Sequence, residues 1–398
     1  MKKVAVVVAS RANYARVKTV LRALQDSPDV ELQLIVGASA LLHRYGNAVS
    51  VIENDGFEPV AKVQFLIEGE TPATMAKSTG LAMIELSSIF ERLAPDCVVT
   101  VADRYETLAT AVSASYMNIP VAHTQGGEVT GSIDESVRHA ITKLSHLHFP
   151  ATEVARQRLL SMGEHPEWVF HSGCPAIDLI LETDLTQCPQ AVLSRYGGTG
   201  EKLDLSKPYL LVMQHPVTTE FTQALQQIQE TIKALEKLRM QTIMLWPNAD
   251  AGSDDVAKGM RLYREQLKPE YVHFYRNFTP EDFLVLMHNA ACMIGNSSSA
   301  IREGAFLGMP AVNVGNRQNA RERGRNVLDA HYDAAEIVTA VRRHLAIGRY
   351  PSDHLYGDGH AGERIAQILT VTERAAVPIQ KTLYTPQLSE PMRYRRTA

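Results

Sequence analysis

The sequence has no segment suited to a membrane or to a polyanionic partner. Its 398 residues contain no apolar run approaching the roughly 20 residues of a membrane span. Lysine and arginine (40) are outnumbered by aspartate and glutamate (44), so the formal net charge is −4 and no basic field is present. The apolar stretch near the start ends at Ser10 and Arg11, before any cleavage site, which argues against a signal peptide. We therefore expect a cytoplasmic protein with no nucleic-acid and no membrane partner.

Cysteine pairs and the common cofactor motifs are also missing. The four cysteines show no C-x-x-C spacing, which is typical of reduced thiols. No G-x-G-x-x-G follows a predicted strand, and no G-x-x-x-x-G-K-[ST] loop occurs, so the nicotinamide, flavin and ATPase fingerprints are absent. No His, Cys or acidic cluster has the spacing of metal ligands. We expect no cofactor and no metal.

What the sequence contains is an alternation of short Val-rich runs and longer amphipathic stretches, in two blocks. Strands are predicted at 4–10, 32–36, 97–102 and 121–123, and then at 209–213, 242–245, 272–274, 292–294 and 311–314. Helices are predicted at 14–24, 74–93, 105–117, 133–147, 221–238 and 363–375. This alternation predicts an α/β protein with two doubly wound, Rossmann-like domains.

The division between the blocks falls in the turn-rich segment 181–207. We predict a first domain at 1–180, completed by the C-terminal helix and tail at 360–398, and a second domain at 205–359. The tail from 381 to 398, basic at its end, is expected to be a flexible or interface-covering extension. Because ligands bind beyond the carboxyl ends of parallel strands, two such domains predict a cleft between them.

Polar residues follow the first-domain strands, where a ligand in that cleft would meet them. Arg11 follows the first strand and could bind a phosphate through two hydrogen bonds, or lie on the surface near a helix start. Asp103 and Arg104 follow the strand at 97–102 and could supply an acid/base group and a phosphate-binding cation. The spacing to Glu106 also fits a capping box, in which case Asp103 only caps a helix.

A glycine-rich loop follows the strand at 121–123 and carries four polar candidates, namely His123, Gln125, Glu128 and Asp134. Interleaved glycines let a ligand approach the backbone closely, so this density of polar groups favours a functional loop. A second capping box, from Ser132 to Glu135, would instead make Asp134 a first-turn acid favoured by the helix dipole.

In the second block His215 follows the strand at 209–213, Asn248 follows the strand at 242–245, and Arg317 follows the strand at 311–314. A lone histidine is more often a structural hydrogen-bonding group than a catalytic one.

The serine run after the strand at 292–294 is a stronger signal. Ser297, Ser298 and Ser299 precede a helix predicted from residue 300, so hydroxyl and free N–H groups could bind an anion there. Glu303, one turn into that helix, could accept ribose hydroxyls. The alternative explanation of the serines is a polar N-cap. Together these residues indicate a phosphate and nucleotide site.

These segments together resemble the hydrolysing UDP-N-acetylglucosamine 2-epimerases, which open sialic-acid biosynthesis. The similar segments run in order from residue 11 to about 320 and are Arg11-Ala-Asn-Tyr14, Asp103-Arg104, Gly126-Gly-Glu128, Gly131-Ser-Ile-Asp134, Ser136-Val-Arg138-His139 to Lys143, Gln214-His-Pro-Val-Thr-Thr219, Pro247-Asn-Ala-Asp250 with Gly252-Ser253, Gly295-Asn-Ser-Ser298, Arg302-Glu303 and Arg317-Gln318.

The resemblance implies a GT-B fold, with the nucleotide held mainly by the second domain. It implies a homodimer or homotetramer, a UDP-linked N-acetylhexosamine substrate and anti elimination of UDP to a 2-acetamidoglucal, followed by hydration to N-acetylmannosamine. By position, UDP would contact Arg11, Arg104, His215, Asn248, Ser297, Ser298, Glu303 and Arg317. The catalytic residues near the sugar would be Asp103 and Asp134, with Glu128, His123 and Gln125 as further candidates.

One departure from the family bears on the chemistry. Gln125 stands where relatives place a Glu, and a glutamine cannot accept a proton. If that Glu is a base, its role passes here to Asp103, Asp134, Glu128 or His123, or the substrate differs. Similar enzymes act on nucleotide-linked 2,4-diacetamido-2,4,6-trideoxy sugars of legionaminic-acid pathways. The sequence is also compatible with a GT-B glycosyltransferase and with a catalytically silent nucleotide-sugar-binding protein.

The two aspartates also carry an expectation about stability. Asn caps a helix about as well as Asp. Asn at position 103 or 134 is therefore expected to keep the melting temperature and lower turnover by roughly two orders of magnitude or more.

Overall fold

Two sheets organise the chain, of which the computed structural model describes residues 1–385. Most of the predicted tail, 386–398, lies outside these residues. The strands of the first sheet are β1 (Lys2–Val8), β2 (Val30–Gly37), β3 (Ala61–Val63), β4 (Cys97–Val101), β5 (Val121–Thr124) and β6 (Leu147–Phe149). They are all parallel, in the order β3-β2-β1-β4-β5-β6.

Both faces of this sheet are covered, and β1 shows why its sequence is almost uniformly apolar. Val4, Val6 and Val8 belong to the apolar core on one face. Ala5 and Val7 belong to the core on the other face. A parallel strand that is buried on two sides reads as a continuous hydrophobic run, which is the pattern that predicts it.

The α-helices that precede the second sheet in the chain are α1 (Arg11–Ala15), α2 (Lys18–Gln25), α3 (Ala48–Asn54), α4 (Pro72–Leu93), α5 (Tyr105–Tyr116), α6 (Asp134–Leu144), α7 (Glu153–Ser161) and α8 (Pro175–Glu182).

The second sheet consists of β7 (Thr199–Gly200), β8 (Tyr209–Met213), β9 (Gln241–Leu245), β10 (Val272–Tyr275), β11 (Cys292–Gly295), β12 (Ala311–Val314) and β13 (Val327–Ala330). Their order is β13-β12-β11-β8-β9-β10-β7; β7 is antiparallel to its neighbour, and the others are parallel. The remaining helices are α9 (Pro189–Leu193), α10 (Ala224–Leu238), α11 (Ser253–Leu262), α12 (Pro280–Asn289), α13 (Arg302–Leu307), α14 (Ala334–Ile347) and α15 (Ala361–Val371). The predicted α/β class with two doubly wound domains and a GT-B arrangement is confirmed.

The last helix returns to the first domain. Ile365, Ala366 and Leu369 of α15 lie in the same apolar cluster as β1, and α15 packs on α2. The boundaries 1–180 with 360–398, and 205–359, stay a prediction that this packing supports.

Several element predictions were wrong in detail. The helix predicted at 14–24 is two helices. Helix α1 begins after Ser10, which accepts a hydrogen bond from the Asn13 N–H, and it ends at Ala15; α2 begins after Val17, whose φ of −137° is not helical. The helix predicted at 133–147 ends at Leu144, and the apolar residues after it form strand β6. The short strands β3, β7 and β13 were not predicted, since two to four residues carry too little periodicity.

Within residues 1–385, no helix combines the length and apolar character needed to cross a bilayer. The four cysteines (Cys97, Cys174, Cys188 and Cys292) all lie in this part and are free thiols.

Candidate active site

A cavity opens between the two domains, beyond the carboxyl ends of their strands. It encloses about 1020 Å³ of empty space, including the part open to solvent. It is lined by all the predicted nucleotide contacts, namely Arg11, Arg104, His215, Asn248, Ser297, Ser298, Glu303 and Arg317. Asp103 and Asp134 line it as well. The structure thus brings together residues that are far apart in the sequence.

Arg11 is half-buried and reaches across the cleft to the second domain. Its guanidinium donates hydrogen bonds to the carbonyl oxygens of Arg276 (2.7 Å) and Trp246 (3.1 Å) and to Asn248 Oδ1 (3.1 Å). Burial and the charge of Arg104 lower the pKa of Arg11 to about 10. A half-buried cation held by second-domain groups and lining a cavity suits an anionic ligand.

Arg104 is also fixed across the cleft. Its guanidinium pairs with Asp250 (Nη1 to Oδ1, 2.8 Å) and with Glu106 (Nη2 to Oε1, 3.0 Å). Helix α5 has Arg104 at its N-cap position and no side-chain cap. The capping-box interpretation of Asp103 and Glu106 is therefore wrong, because Glu106 serves as the counter-ion of Arg104.

The Asp103 carboxylate instead lies among three arginine side chains. Arg138 donates a hydrogen bond to Asp103 Oδ2, while Arg16 (3.9 Å) and Arg321 (3.7 Å) lie within ion-pair distance. Burial alone would raise the pKa of Asp103, but these three guanidinium groups outweigh it and hold the pKa well below the ordinary range. Asp103 is therefore ionised at neutral pH.

Asp134 has the opposite environment. It is the first residue of α6, and its Oδ2 lies 3.7 Å from Nη2 of Arg317. Burial, followed by the nearby charge of Asp103, raises the pKa of Asp134. Two carboxyl groups of one cavity thus have pKa values shifted in opposite directions, which is a pattern typical of acid/base sites.

His215 is held in one tautomer. Its Nδ1 accepts a hydrogen bond from the Asn248 backbone N–H (3.2 Å), so the proton of the neutral ring is on Nε2. Burial, then Arg317 and the other cleft arginines, lower the pKa of His215 well below its ordinary value. The ring is a neutral N–H donor beside the cavity.

The serine run forms a different structure from the one predicted. Ser298–Ala300 is a single 3-10 turn, and α13 begins only at Arg302. Arg16 Nη2 donates to Ser298 Oγ (2.5 Å), and Ser297 Oγ lies 2.7 Å from Ser299 Oγ. An anion here would rely on hydroxyls and arginines more than on a helix dipole, because α13 is short.

Three catalytic candidates, namely His123 in strand β5 and the loop residues Gln125 and Glu128, do not line the cavity. His123 Nε2 donates to the Ala102 carbonyl (2.7 Å), and burial lowers the pKa of His123 to about 3. Gln125 is buried with φ +61°, and its amide contacts the Cys174 sulfur at 3.6 Å. Glu128 is buried against Arg302 and Arg321. Because these three residues do not line the part of the cavity formed by the described residues, none of them is placed to contact a ligand there.

Sequence reasoning left four site residues without a role, namely Arg16, Arg138, Asp250 and Arg321. Arg138 follows Asp134 by four residues on α6, a spacing that places both on one helix face. Asp250 lies two residues after Asn248 in the same loop. Nothing in the local sequence marks Arg16 or Arg321, because their partner Asp103 is distant along the chain.

Among residues 1–385, no group of three or more His, Cys, Asp or Glu side chains is placed to hold a metal ion.

Comparison with known proteins identifies similar sequences. The family model described as UDP-N-acetylglucosamine 2-epimerase matches residues 22–370. A hydrolysing UDP-N,N'-diacetylbacillosamine 2-epimerase from Legionella pneumophila is 36% identical, over 93% of this chain and 96% of its own. A UDP-N-acetylglucosamine 2-epimerase from Neisseria meningitidis is 30% identical, over 96% of this chain and 98% of its own.

A solved structure shares the fold. It is the Methanocaldococcus jannaschii UDP-GlcNAc 2-epimerase in complex with UDP-GlcNAc and UDP, with a TM-score of 0.79 and 19% identity. The similarity covers 93% of this chain and all of that one.

Proposed function

Because the chain belongs to the UDP-N-acetylglucosamine 2-epimerase family, we propose that it is a hydrolysing 2-epimerase that converts UDP-N-acetylglucosamine and water to N-acetylmannosamine and UDP. The observation that carries this proposal is the pair Asp103 and Asp134. Both line one cavity with the arginines, and their pKa values are shifted in opposite directions.

The first step breaks the bond between C1 of the sugar and the diphosphate oxygen, and negative charge develops on the leaving UDP. Arg11, Arg317 and the neutral N–H of His215 line the cavity and supply donors for that charge. No proton is needed for departure, since a diphosphate is a stable anion. Asp103, held in its ionised form, stabilises the positive charge that appears at C1.

Loss of UDP acidifies the C2–H bond, and Asp134 accepts that proton to give the 2-acetamidoglucal. A carboxylate whose pKa is raised is a better proton acceptor than an ordinary one. Water then adds its oxygen to C1 and releases one proton, and C2 receives a solvent-derived proton on the face opposite to the one from which Asp134 removed the first. The sum is UDP-sugar plus water giving UDP and the free 2-epimer, with no electron acceptor required.

The same chemistry on a UDP-linked 2,4-diacetamido-2,4,6-trideoxyglucose is a second candidate. It is favoured by the diacetylbacillosamine-type relatives, one of which is 36% identical. A second, from Campylobacter jejuni, is 32% identical.

We further propose that the enzyme works in the cytoplasm as a homodimer or homotetramer. The four free thiols support a reducing compartment.

The test incubates the protein with each of the two UDP-sugars separately, in heavy water and without an acceptor, and follows the products by NMR. We expect UDP and a free 2-epimer that carries deuterium at C2, since the glucal is protonated there from solvent. The preferred sugar identifies the substrate. UDP release that requires an acceptor would indicate a glycosyltransferase. Binding without release would indicate a silent nucleotide-sugar-binding protein, and a product without deuterium would exclude the elimination.

A further inference from the structure

A buried cluster of charges connects the two domains at the cavity wall, where one of its members, Asp103, lines the cavity. We call Asp103, Glu128, Arg138, Arg302 and Arg321 the inter-domain charge cluster, and all five are buried. Asp103, Glu128 and Arg138 come from the first domain, whereas Arg302 and Arg321 come from the second. Such a cluster is costly to bury unless every charge is paired, so its pairing pattern constrains where each side chain can lie.

Glu128 holds the second-domain arginines. Arg302 donates a hydrogen bond to Glu128 Oε2, and Arg321 Nη2 lies 3.4 Å from the same oxygen. Arg138 donates to the Glu128 carbonyl (2.8 Å) and directs another nitrogen to Asp103. Glu128 therefore holds both second-domain arginines, whereas Asp103 accepts its hydrogen bond from Arg138 and lies farther from Arg16 and Arg321.

Arg321 lies between the two carboxylates. Its Nη2 is 3.4 Å from Glu128 Oε2 and 3.7 Å from Asp103 Oδ2. The cluster as defined has three arginines and two carboxylates, so neutralising Glu128 would leave Asp103 as the one carboxylate within it. Attraction in a buried site is strong, so Arg321 would then draw Asp103 away from its place at the cavity.

In the second domain, the segment that contributes Arg302 to the cluster follows directly after the serine run. Arg302 is the first residue of α13 and follows closely after the 3-10 turn that contains Ser298. Ser298 itself accepts a hydrogen bond from Arg16, the arginine that also faces Asp103. The serines at the cavity and the arginine that binds Glu128 thus belong to one continuous segment.

We propose that Glu128 is a positioning residue, which satisfies Arg302 and Arg321 so that Asp103 remains on Arg138 at the cavity wall. This inference rests on the proposed function, in which Asp103 acts on the sugar. It also assigns a role to a loop residue that lies behind the cavity wall.

The test compares Glu128→Gln with Glu128→Asp and with a matched control. Glu281 forms another cross-domain pair, with Lys18, and lies outside the cluster. We expect Glu128→Gln to lower kcat by about 10- to 100-fold, as expected for a catalytic group displaced by about 1 Å. UDP affinity should stay within about threefold, because the nucleotide contacts are intact. Glu128→Asp, which keeps the charge, should recover part of kcat, and Glu281→Gln should keep wild-type kcat.

A crystal structure of Glu128→Gln supplies a readout that is independent of turnover. We expect Asp103 to leave Arg138 and to move closer to Arg321 than the 3.7 Å that separates them in the wild type. An unmoved Asp103, an unchanged kcat, or equal losses in Glu128→Gln and Glu281→Gln would overturn the inference. If the Gln variant does not fold, Glu128→Asp is measured in its place; its shorter side chain weakens the hold on Arg302 and Arg321, so we expect a smaller loss of kcat with UDP affinity again within about threefold. A wild type without turnover would count against the proposed function alone, since the crystallographic comparison needs no substrate.

Discussion

Replacing Asp103 with Asn removes the negative charge that faces Arg138, Arg16 and Arg321. Arg138 is fully buried, and its contact with Asp103 is a hydrogen-bonded ion pair. Breaking a buried pair by removing one partner costs about 3–5 kcal/mol. For a chain of this size that lowers Tm by about 4–6 °C. The expectation from sequence, that Asn would replace a cap without loss of stability, does not hold here because Asp103 is not a cap.

Asp134→Asn provides the contrast. Asp134 is partly exposed, its ion-pair partner within residues 1–385 is Arg317 at 3.7 Å, and its raised pKa shows that its charge is disfavoured in the fold. Neutralising it should change stability by less than about 1 kcal/mol. Turnover should nevertheless fall by about 10² to 10⁴, the usual contribution of an acid/base group.

The assay measures Tm by calorimetry, UDP affinity by titration calorimetry and kcat by UDP release, for both variants and the wild type. We expect Asp134→Asn to lose kcat alone, and Asp103→Asn to lose both kcat and Tm. Equal Tm losses in the two variants would refute the assignment of Asp103 to the arginines. Normal turnover in Asp134→Asn would refute its role in proton transfer.

Three further outcomes are expected. Ser298→Ala and Arg317→Ala should each weaken UDP binding by about 1–3 kcal/mol in titration calorimetry, because each removes a donor for the diphosphate, and unchanged affinity in both would exclude the phosphate site. Turnover should persist after exhaustive dialysis against a chelator; loss that a divalent ion restores would contradict this. Because burial lowers the pKa of His123 to about 3, its stabilising effect is complete above pH about 6.5 and is lost as the pH falls toward 3. His123→Asn should therefore lose less Tm than the wild type between about pH 6.5 and 4.5.

The amino-acid sequence determined the fold class and the predicted nucleotide contacts that line the cavity. A parallel strand that is buried on both faces has a continuous apolar sequence, so β1, β8 and β11 could be predicted from their local runs of apolar residues. Residues that follow such strands meet at one edge of the sheet. That rule placed Arg11 and Arg317 at the cleft without any knowledge of their contacts.

Only the tertiary structure decided what each of these residues does. Asp103 and Glu106 match a capping box in sequence, yet each is the counter-ion of an arginine, because pairing depends on distances between remote segments. The opposite pKa shifts of Asp103 and Asp134 likewise arise from burial and from charges contributed by both domains. Local sequence specifies hydrogen bonds a few residues apart, whereas the electrostatic environment of a buried group is summed over everything that the fold packs around it.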